Sequence, residues 1–494
     1  MSSKSISTKV AIVGAGVSGL KAAQTLLHTR NSPFGPGDIT IIEAQDHVGG
    51  RIKTDRLSSK LGTNYDLGAA WFHDCLNNSV LDYVRSLSDF DIGRDTYFDD
   101  RDISTYDSTG KIDVSGLKLN RVVEDIEKFI ELYYHDELDK KDMSLEEIVD
   151  EYFKKFDDFL TDEQKKYCGR IVRYYELWYG ISWDIISGKY SIMDHQGRNL
   201  LNKRGYSYVI EKLHSEITPA CSILLNQPIR KIIRNNKQGD KRLCLETTNG
   251  LSIYSDYAII TVPQSILQLS DPTHPNSIIW QPQLPTPIQT SLKTIHFGAL
   301  GKVIFEFDEI WWNPTQDRFE ILADPIPKST TTTNNLSQRL TECPKPFTYP
   351  AYIINYASVK QTPALVILTQ APLTQYLESN PDEAWTYYGA MLSQLATGGN
   401  KITEPINTIV TDWTKNPYIR GSYAALHTHD QPSDLIIQLC GEYDGCGMAS
   451  VGEEWVRFAG EHTVMEGAGC VHGAWNSGKR EGEWILKDVE NKEK

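Results

Sequence analysis

Three glycines near the amino terminus are spaced to bind a dinucleotide. Gly14, Gly16 and Gly19 follow a short apolar run and open a segment with helical spacing. In such a turn the first glycine permits a tight bend, the second lets backbone approach a pyrophosphate, and the third lets helix and strand pack closely. Glu43 ends the next apolar run, where its carboxylate can accept hydrogen bonds from ribose hydroxyls. The spacing predicts a strand, a turn, a helix and a strand that bind a dinucleotide.

Three side chains elsewhere are suited to moving protons in a reaction. His73 and His195 carry imidazoles, which titrate near neutrality. Lys302 lies in a run that alternates apolar and polar residues, and burial would lower its pKa enough for acid–base work. Residue types alone favour a surface lysine and structural histidines. Their roles therefore depend on the elements that surround them.

The surrounding elements have two different characters. Residues 222–232 and 257–263 are typical of strands, whereas residues 115–190 are strongly helical and acidic. Capping boxes begin further helices at Ser144 and Thr161. We expect the charges of this helical stretch to form a solvated face.

A further stretch, residues 281–433, mixes proline-rich loops with alternating strands such as residues 302–307. No tandem repeat is present. The chain therefore predicts an α/β fold with a second, mixed part.

Composition excludes several classes of function. The chain has 494 residues, enough for two domains, and a formal charge of −15, which disfavours nucleic-acid binding. We expect no membrane span, because no run of about 18 apolar residues occurs. The eight cysteines form no C-x-x-C pair, so we expect reduced thiols, no metal site and a cytoplasmic location. Motifs typical of serine hydrolases, zinc proteases and P-loop enzymes are missing.

Four ordered motifs resemble those of the flavin amine oxidases. Residues 43–51 resemble the E-A-x-x-x-x-G-G-R element of that family, and residues 66–71 its D-x-G-A-x-W segment. Residues 301–303 resemble its G-K-V strand, and residues 457–463 its F-A-G-E-x-T flavin motif. Within the family the chain is most similar to fungal FAD-dependent polyamine (spermine) oxidases, notably over residues 295–307. The resemblance covers nearly the whole chain.

This resemblance implies the amine oxidase fold, in which a Rossmann-type FAD-binding domain and an α+β substrate-binding domain are both built from discontinuous segments. The FAD-binding segments are expected at residues 8–75, 205–280 and 434–490. The substrate domain is expected to comprise a helical segment, 76–204, and a sheet segment, 281–433. The implied partners are a polyamine and O2, in a monomer or a homodimer.

The resemblance also assigns roles to individual residues. FAD binding falls to Gly14, Ala15, Gly16, Gly19, Glu43, Gly50, Arg51, Ile229, Gly460 and Glu461. Catalysis falls to Lys302, which in the family reaches flavin N5 through water, and to His73 and His195 beside the amine. The expected substrate-binding residues are Trp178, Asn199, Tyr423 and His472. Aromatic rings in such a path favour an amine through cation–π contacts.

Two departures from the family pattern matter. Ser422 occupies the position where monoamine oxidases attach flavin through cysteine, so we expect FAD bound without a covalent link. His472 replaces a tyrosine of the fungal polyamine oxidases, which leaves the preferred amine open.

The expected reaction is oxidation of spermine or an acetylated polyamine beside a secondary nitrogen, giving spermidine, 3-aminopropanal and H2O2. The alternative is a corticosteroid-binding protein on the same fold, with weak or no oxidase activity, because the group of similar sequences includes a yeast steroid binder. A flavin monooxygenase or ketosteroid dehydrogenase is disfavoured by Lys302, and a scaffold without flavin is disfavoured by the intact glycines.

Overall fold

The computed structural model describes residues 4–135, 140–192, 197–235, 240–325, 339–441 and 446–493. The strands in these ranges are β1 (Ser5–Ser7), β2 (Val10–Val13), β3 (Ile39–Ile42), β4 (Thr54–Asp55), β5 (Tyr65–Asp66), β6 (Trp71–Phe72), β7 (Thr96–Tyr97), β8 (Ile103–Asp107), β9 (Gly110–Lys111), β10 (Leu200–Asn202), β11 (Cys221–Leu224), β12 (Ile229–Arg234), β13 (Leu243–Thr247), β14 (Ser252–Ser255), β15 (Tyr257–Ile260), β16 (Ile279–Gln281), β17 (Gly301–Glu306), β18 (Arg318–Ile321), β19 (Ala351–Asn355), β20 (Ala364–Thr369), β21 (Asn407–Val410) and β22 (Val456–Phe458). The helices are α1 (Val17–His28), α2 (Ser79–Arg85), α3 (Ile92–Asp95), α4 (Leu119–His135), α5 (Leu145–Lys155), α6 (Asp162–Val172), α7 (Glu176–Tyr179), α8 (Gly188–Ser191), α9 (Ser207–Ile217), α10 (Gln264–Leu267), α11 (Thr286–Ser291), α12 (Tyr356–Lys360), α13 (Leu373–Ser379), α14 (Ala384–Leu392), α15 (Pro432–Cys440) and α16 (Val471–Glu493).

A parallel sheet carries the glycine turn. Its five strands lie in the order β11-β3-β2-β15-β22, and each neighbouring pair is parallel. These strands come from three stretches that are far apart in the sequence, near residues 10–42, 221–260 and 456–458. The predicted order of strand, turn, helix and strand is confirmed as β2, α1 and β3.

Both faces of this sheet are buried. On β2 the side chains alternate: Val10 and Ile12 pack toward α1 and α16, and Ala11 and Val13 pack toward the opposite side. That opposite side is closed by a second sheet in the order β1-β14-β13-β12-β16, whose Leu245 belongs to the same cluster as Ala11. Parallel strands covered in this way read as continuous apolar runs, as they do in this sequence.

The strand that carries Lys302 lies inside a seven-stranded sheet in the order β21-β17-β20-β19-β18-β8-β9. Its alternating sequence is of the kind that usually forms a half-buried strand, but every residue of β17 is buried. The reason is that both sides are covered: Phe305 packs with Trp385 and Tyr388 beyond one face, and Ile304 packs with Tyr65 beyond the other. Lys302 is therefore a core residue.

The helical stretch forms as the sequence predicts. Helix α4 buries one stripe that includes Val122, Ile126 and Ile130. The capping boxes at Ser144 and Thr161 are confirmed. Each of these side chains accepts a hydrogen bond from the backbone N–H three residues later, and the side chain of that later residue accepts from the backbone N–H of the cap residue. In the ranges described, no helix combines the length and apolar character needed to cross a bilayer.

Candidate active site

The turn between β2 and α1 leaves open space beside Gly16. Gly14 has a φ of +111°, and its N–H donates to the carbonyl oxygen of Ile42 at 2.8 Å. A Cβ on Gly19 would lie 2.1 Å from the carbonyl oxygen of Gly14, so a larger residue is excluded there. A Cβ on Gly16 would meet nothing within 4 Å. Because Gly16 precedes α1 and no side chain caps the helix there, the N–H groups of its first turn remain able to bind a phosphate.

Glu43 follows β3 at the same edge of the sheet. Its Oε2 accepts from the N–H of Ala15 at 2.7 Å and its Oε1 from the N–H of Gln45 at 2.9 Å. The side chain is buried and lines the cavity described below. A carboxylate oxygen accepts more than one hydrogen bond, so Glu43 can hold the turn through Ala15 and still bind ribose hydroxyls.

A second glycine pair lies next to this turn, followed by a partly buried ion pair. A Cβ on Gly50 would lie 3.6 Å from the Cα of Gly16. The Nη1 of Arg51 donates to Glu461 Oε1 and to the carbonyl oxygen of Ser422, each at 2.8 Å. Burial opposes ionisation of Glu461, but Arg51, His462 and the hydrogen bonds to the carboxylate together hold the pKa of that carboxyl below its ordinary value. Glu461 thus stays charged beside the glycines.

Most of the residues assigned to FAD line one cavity. Ile229, at the start of β12, and Gly460, with a φ of +140°, are on its wall. Gly14, Gly16, Glu43, Gly50, Arg51 and Glu461 line it as well. Ala15 and Gly19 do not line it; Ala15 donates its N–H to Glu43, and Gly19 packs against the backbone of Gly14.

The same cavity extends to the strand that carries Lys302. It has a volume of about 600 Å³. The other predicted site residues on its wall are Lys302, His73, Trp178, Asn199 and Tyr423. His195 lies outside the described residues. The structure therefore brings the proposed cofactor residues and most of the proposed reacting residues to one space.

Lys302 is almost fully buried, with 5% of its surface exposed. Its Nζ donates to the carbonyl oxygens of Asp66 at 2.7 Å and Gly68 at 2.6 Å, and it lies 5.5 Å from the ring centroid of Trp71. Burial lowers the pKa of Lys302 to about 8, against the opposing effect of the Asp66 carboxylate. A neutral amine supplies both N–H donors for the two carbonyls, and the ammonium adds a third. Lys302 can thus exchange one proton near neutral pH without losing its anchors.

His73 and His472 occupy different positions relative to the cavity. The ring of His73 is on the wall, 6.4 Å from that of Trp71. His472 is not a lining residue; it is buried, and its Nε2 lies 3.3 Å from Asp74 Oδ2. Asp74, which follows His73 in the chain, also donates its backbone N–H to Asn199 Oδ1 on the wall at 3.3 Å. His472 therefore reaches the wall only through its neighbours.

Aromatic rings form another part of the wall. The hydroxyl of Tyr423 donates to the carbonyl oxygen of Trp178. Burial raises the pKa of Tyr423, so this hydroxyl stays protonated and the two residues remain joined. Tyr174 and Tyr175 pack against Trp178 with ring centroids 4.8 and 5.5 Å away.

The cavity residues that the sequence did not single out include Trp413, Arg318 and Glu127. Trp413 donates through Nε1 to the carbonyl oxygen of Leu67 at 2.9 Å, and Arg318 pairs with buried Asp99 at 3.0 Å. No local signal marks them, because their partners are far away in sequence. Glu127 was included in the solvated face of the acidic helices, and this prediction is wrong for that residue, which lines the cavity.

The residues at the turn fit a dinucleotide. The helix N-terminus can bind the pyrophosphate, Glu43 can bind a ribose, and the open space at Gly16 allows close approach. The fold and the geometry define a candidate dinucleotide site that shares a cavity with a buried lysine.

Comparison with known proteins identifies the family. The model of the flavin containing amine oxidoreductases matches residues 17–486. A corticosteroid-binding protein of Candida albicans (strain SC5314 / ATCC MYA-2876) is 54% identical over 490 residues, which cover 99% of this chain and 97% of that protein. Polyamine oxidase 5 of Oryza sativa subsp. japonica is 28% identical over 484 residues, 95% of this chain and 86% of that protein. The chain belongs to the family of flavin containing amine oxidoreductases, and its cofactor is FAD.

Solved structures share the fold. A redesigned putrescine oxidase superposes with a TM-score of 0.64 at 16% identity, covering 98% of this chain and 100% of that one. The predicted amine oxidase fold, with a FAD-binding and a substrate-binding part, is thereby confirmed.

Proposed function

We propose that this protein is a FAD-dependent polyamine oxidase that oxidises spermine or an acetylated polyamine beside a secondary nitrogen. With spermine, O2 and water as reactants, the products are spermidine, 3-aminopropanal and H2O2. The observation that carries the proposal is the shared cavity, in which the glycine turn and the buried Lys302 lie on walls of one space. The similarity to plant polyamine oxidases supports it.

The bound flavin supplies the redox chemistry, removing two electrons from the C–N bond and passing them to O2. The chain supplies placement and proton transfer. The aromatic wall of Trp178 and Tyr423 guides a slender aliphatic amine. His73 and His195 take up the proton that the amine must lose before it reacts. Lys302 delivers a proton on the side where O2 is reduced, and its pKa of about 8 suits that exchange.

The FAD is proposed to be held without a covalent bond. Ser422 lies beside the cavity, and its Oγ accepts from the N–H of Leu300 at 3.1 Å. A serine hydroxyl does not form the thioether that a cysteine forms. Acid precipitation should therefore release all of the flavin into the supernatant, and a yellow pellet would contradict this assignment.

An anaerobic titration tests the main proposal. The purified yellow protein is mixed with spermine, an acetylated spermine, simple monoamines and a corticosteroid, and the flavin absorption band is followed. Rapid bleaching by spermine or its acetylated form is expected, with H2O2 formed when air is admitted. Binding of the steroid with no bleaching by any amine would refute the oxidase assignment.

A corticosteroid-binding function is the second candidate. It is favoured by the 54% identity to the Candida protein of that name over nearly the whole chain. A cavity whose wall carries several aromatic rings suits a flat apolar ligand as well as an aliphatic chain. The two functions compete for one space, so a bound steroid should slow bleaching by spermine if both are present.

A further inference from the structure

Two carboxylates of α4, Glu127 and Glu131, lie on the cavity wall, and Glu131 pairs with Lys128 at 2.5 Å. Glu127 is on α4, one turn after the buried Val123, and it is half-buried on the cavity wall. Most other acids of this helix, such as Glu124, are exposed. An anionic group in a largely apolar cavity is costly unless it has a partner.

The partners of Glu127 within the structure are two hydroxyls. Tyr174 and Tyr175 both donate to the same oxygen, Oε1, at 2.6 and 3.1 Å. Throughout the described ranges, the other oxygen accepts no hydrogen bond and no lysine or arginine pairs with Glu127. The two tyrosines orient the carboxylate but do not neutralise it. One acceptor oxygen and the whole negative charge are left for a ligand.

The rings of the same tyrosines complete a site for a cation. Tyr174 and Tyr175 are stacked with centroids 4.3 Å apart, and the ring of Trp178 stands across both. Electron-rich ring faces and a carboxylate each attract an ammonium group, and both effects strengthen in a site shielded from water. The combination of Glu127 with three rings therefore selects a positively charged nitrogen.

This site is separate from the position of Lys302. Leu300 immediately precedes β17, and its backbone packs closely against Gly180. A Cβ on Gly180 would lie 2.2 Å from the backbone nitrogen of Leu300. Gly180 ends α7, which carries Trp178, and Glu127 lies beyond it against the tyrosines. The contacts run from Lys302 through α7 to Glu127. A ligand that spans both positions must be extended and must carry its charge away from the reacting nitrogen.

We propose that Glu127, with the rings of Tyr174, Tyr175 and Trp178, binds a second, protonated nitrogen of the polyamine whose other nitrogen is oxidised near Lys302. The inference rests on the proposed function and narrows its substrate class. Acetylation or loss of the far amine removes the charge that Glu127 recognises. The enzyme therefore prefers polyamines with a free ammonium at the end remote from the flavin, over monoamines and over polyamines acetylated at that end.

The test uses Glu127→Gln, which keeps the side-chain shape and an oxygen to accept from the tyrosines but removes the charge. Glu124→Gln is the matched control, because Glu124 is on the same helix, is exposed and pairs with Arg121. The ligands are spermine and an analogue in which the terminal amine of the far end is replaced by methyl. Calorimetry gives the binding constant, and anaerobic stopped flow gives the limiting rate of flavin reduction.

We expect Glu127→Gln to weaken spermine binding about tenfold to a hundredfold, the value of one charge-assisted contact. The limiting rate of reduction and the affinity for the methyl analogue should stay as in the wild type, and Glu124→Gln should change nothing. Equal weakening of both ligands would overturn the proposal and leave Glu127 as a support for the tyrosines. If the wild type binds spermine but no amine bleaches the flavin, the oxidase assignment fails while calorimetry still decides the role of Glu127.

Discussion

Replacing Lys302 with methionine removes a buried amine whose surroundings are well defined. The methionine is of similar length but cannot donate to the carbonyl oxygens of Asp66 and Gly68, which Nζ holds at 2.7 and 2.6 Å. Each buried carbonyl left without a donor costs about 1–3 kcal/mol. The ammonium that burial disfavours is removed at the same time, so we expect Lys302→Met to fold and retain FAD.

The size of the kinetic effect follows from the proposed proton transfer. A positioned general acid contributes about 10²–10⁴-fold to a rate. We therefore expect flavin reoxidation by O2 to slow at least about a hundredfold in Lys302→Met. In the wild type this rate should fall as pH rises through about 8, the pKa of Lys302, because the ammonium is the proton donor. The variant should show no such inflection.

Stability should depend on pH in the same region. The pKa of Lys302 is lowered from 10.5 to about 8 on folding, so the unfolded chain binds more protons between these values. Stability then rises with pH across that window, by ~3 kcal/mol in all, and the rise should be missing in Lys302→Met. Urea unfolding at pH 7, 8, 9 and 10 measures it.

The control is Lys360→Met. Lys360 is also a lysine whose pKa is lowered by burial, and it donates to the carbonyl oxygen of Asn64 at 2.8 Å, but it does not line the cavity. Stopped-flow reduction by spermine and reoxidation by O2 are measured for both variants. If Lys302→Met matches the wild type in both half-reactions, or if Lys360→Met slows reoxidation equally, the reasoning about Lys302 is refuted.

Two further predictions concern the cofactor site. Gly16→Leu should fold with little change in thermal stability, because a Cβ on Gly16 meets no protein atom within 4 Å. It should lose FAD, because the longer side chain fills the space proposed for the pyrophosphate. The ratio of flavin to protein measures this loss, and full occupancy would contradict the prediction. Arg51→Gln should destabilise the protein by roughly 2 kcal/mol, because it leaves the buried carboxylate of Glu461 without its cation. The loss is smaller than for a fully buried ion pair because Arg51 is partly exposed. Thermal unfolding at pH 7 and pH 5 should show a smaller loss at the lower pH, because without Arg51 burial raises the pKa of Glu461 and the carboxyl can take up a proton; an equal loss at both would point to packing instead.

Local features were predictable from the sequence because local spacing determines them. The glycine turn requires Gly14 at φ +111° and excludes a side chain on Gly19, and both needs are written in consecutive residues. The capping boxes at Ser144 and Thr161 likewise join residues three positions apart. The cofactor was also predictable, because the family motifs at residues 43–51 and 457–463 occur in order along the chain and are typical of FAD-binding proteins.

Charge and burial could not be predicted in the same way. Lys302 and Glu127 both lie in segments whose alternation of apolar and polar residues predicts that charged side chains face solvent, yet one is in the core and the other on the cavity wall. What covers them is supplied by residues remote in sequence: Trp385 and Tyr65 on either side of β17, and Tyr174 beside α4. His472 was expected on the wall but packs against Asp74, almost the full length of the chain away.

The sequence by itself thus determined the family, the cofactor and the local elements around its proposed site, because turns, caps and helix starts depend on neighbouring residues. Tertiary structure alone decided which charged groups lose water and meet in one cavity. That outcome depends on packing between distant segments, and it sets the proton affinity of Lys302 and leaves the charge of Glu127 without a partner within the described part of the chain.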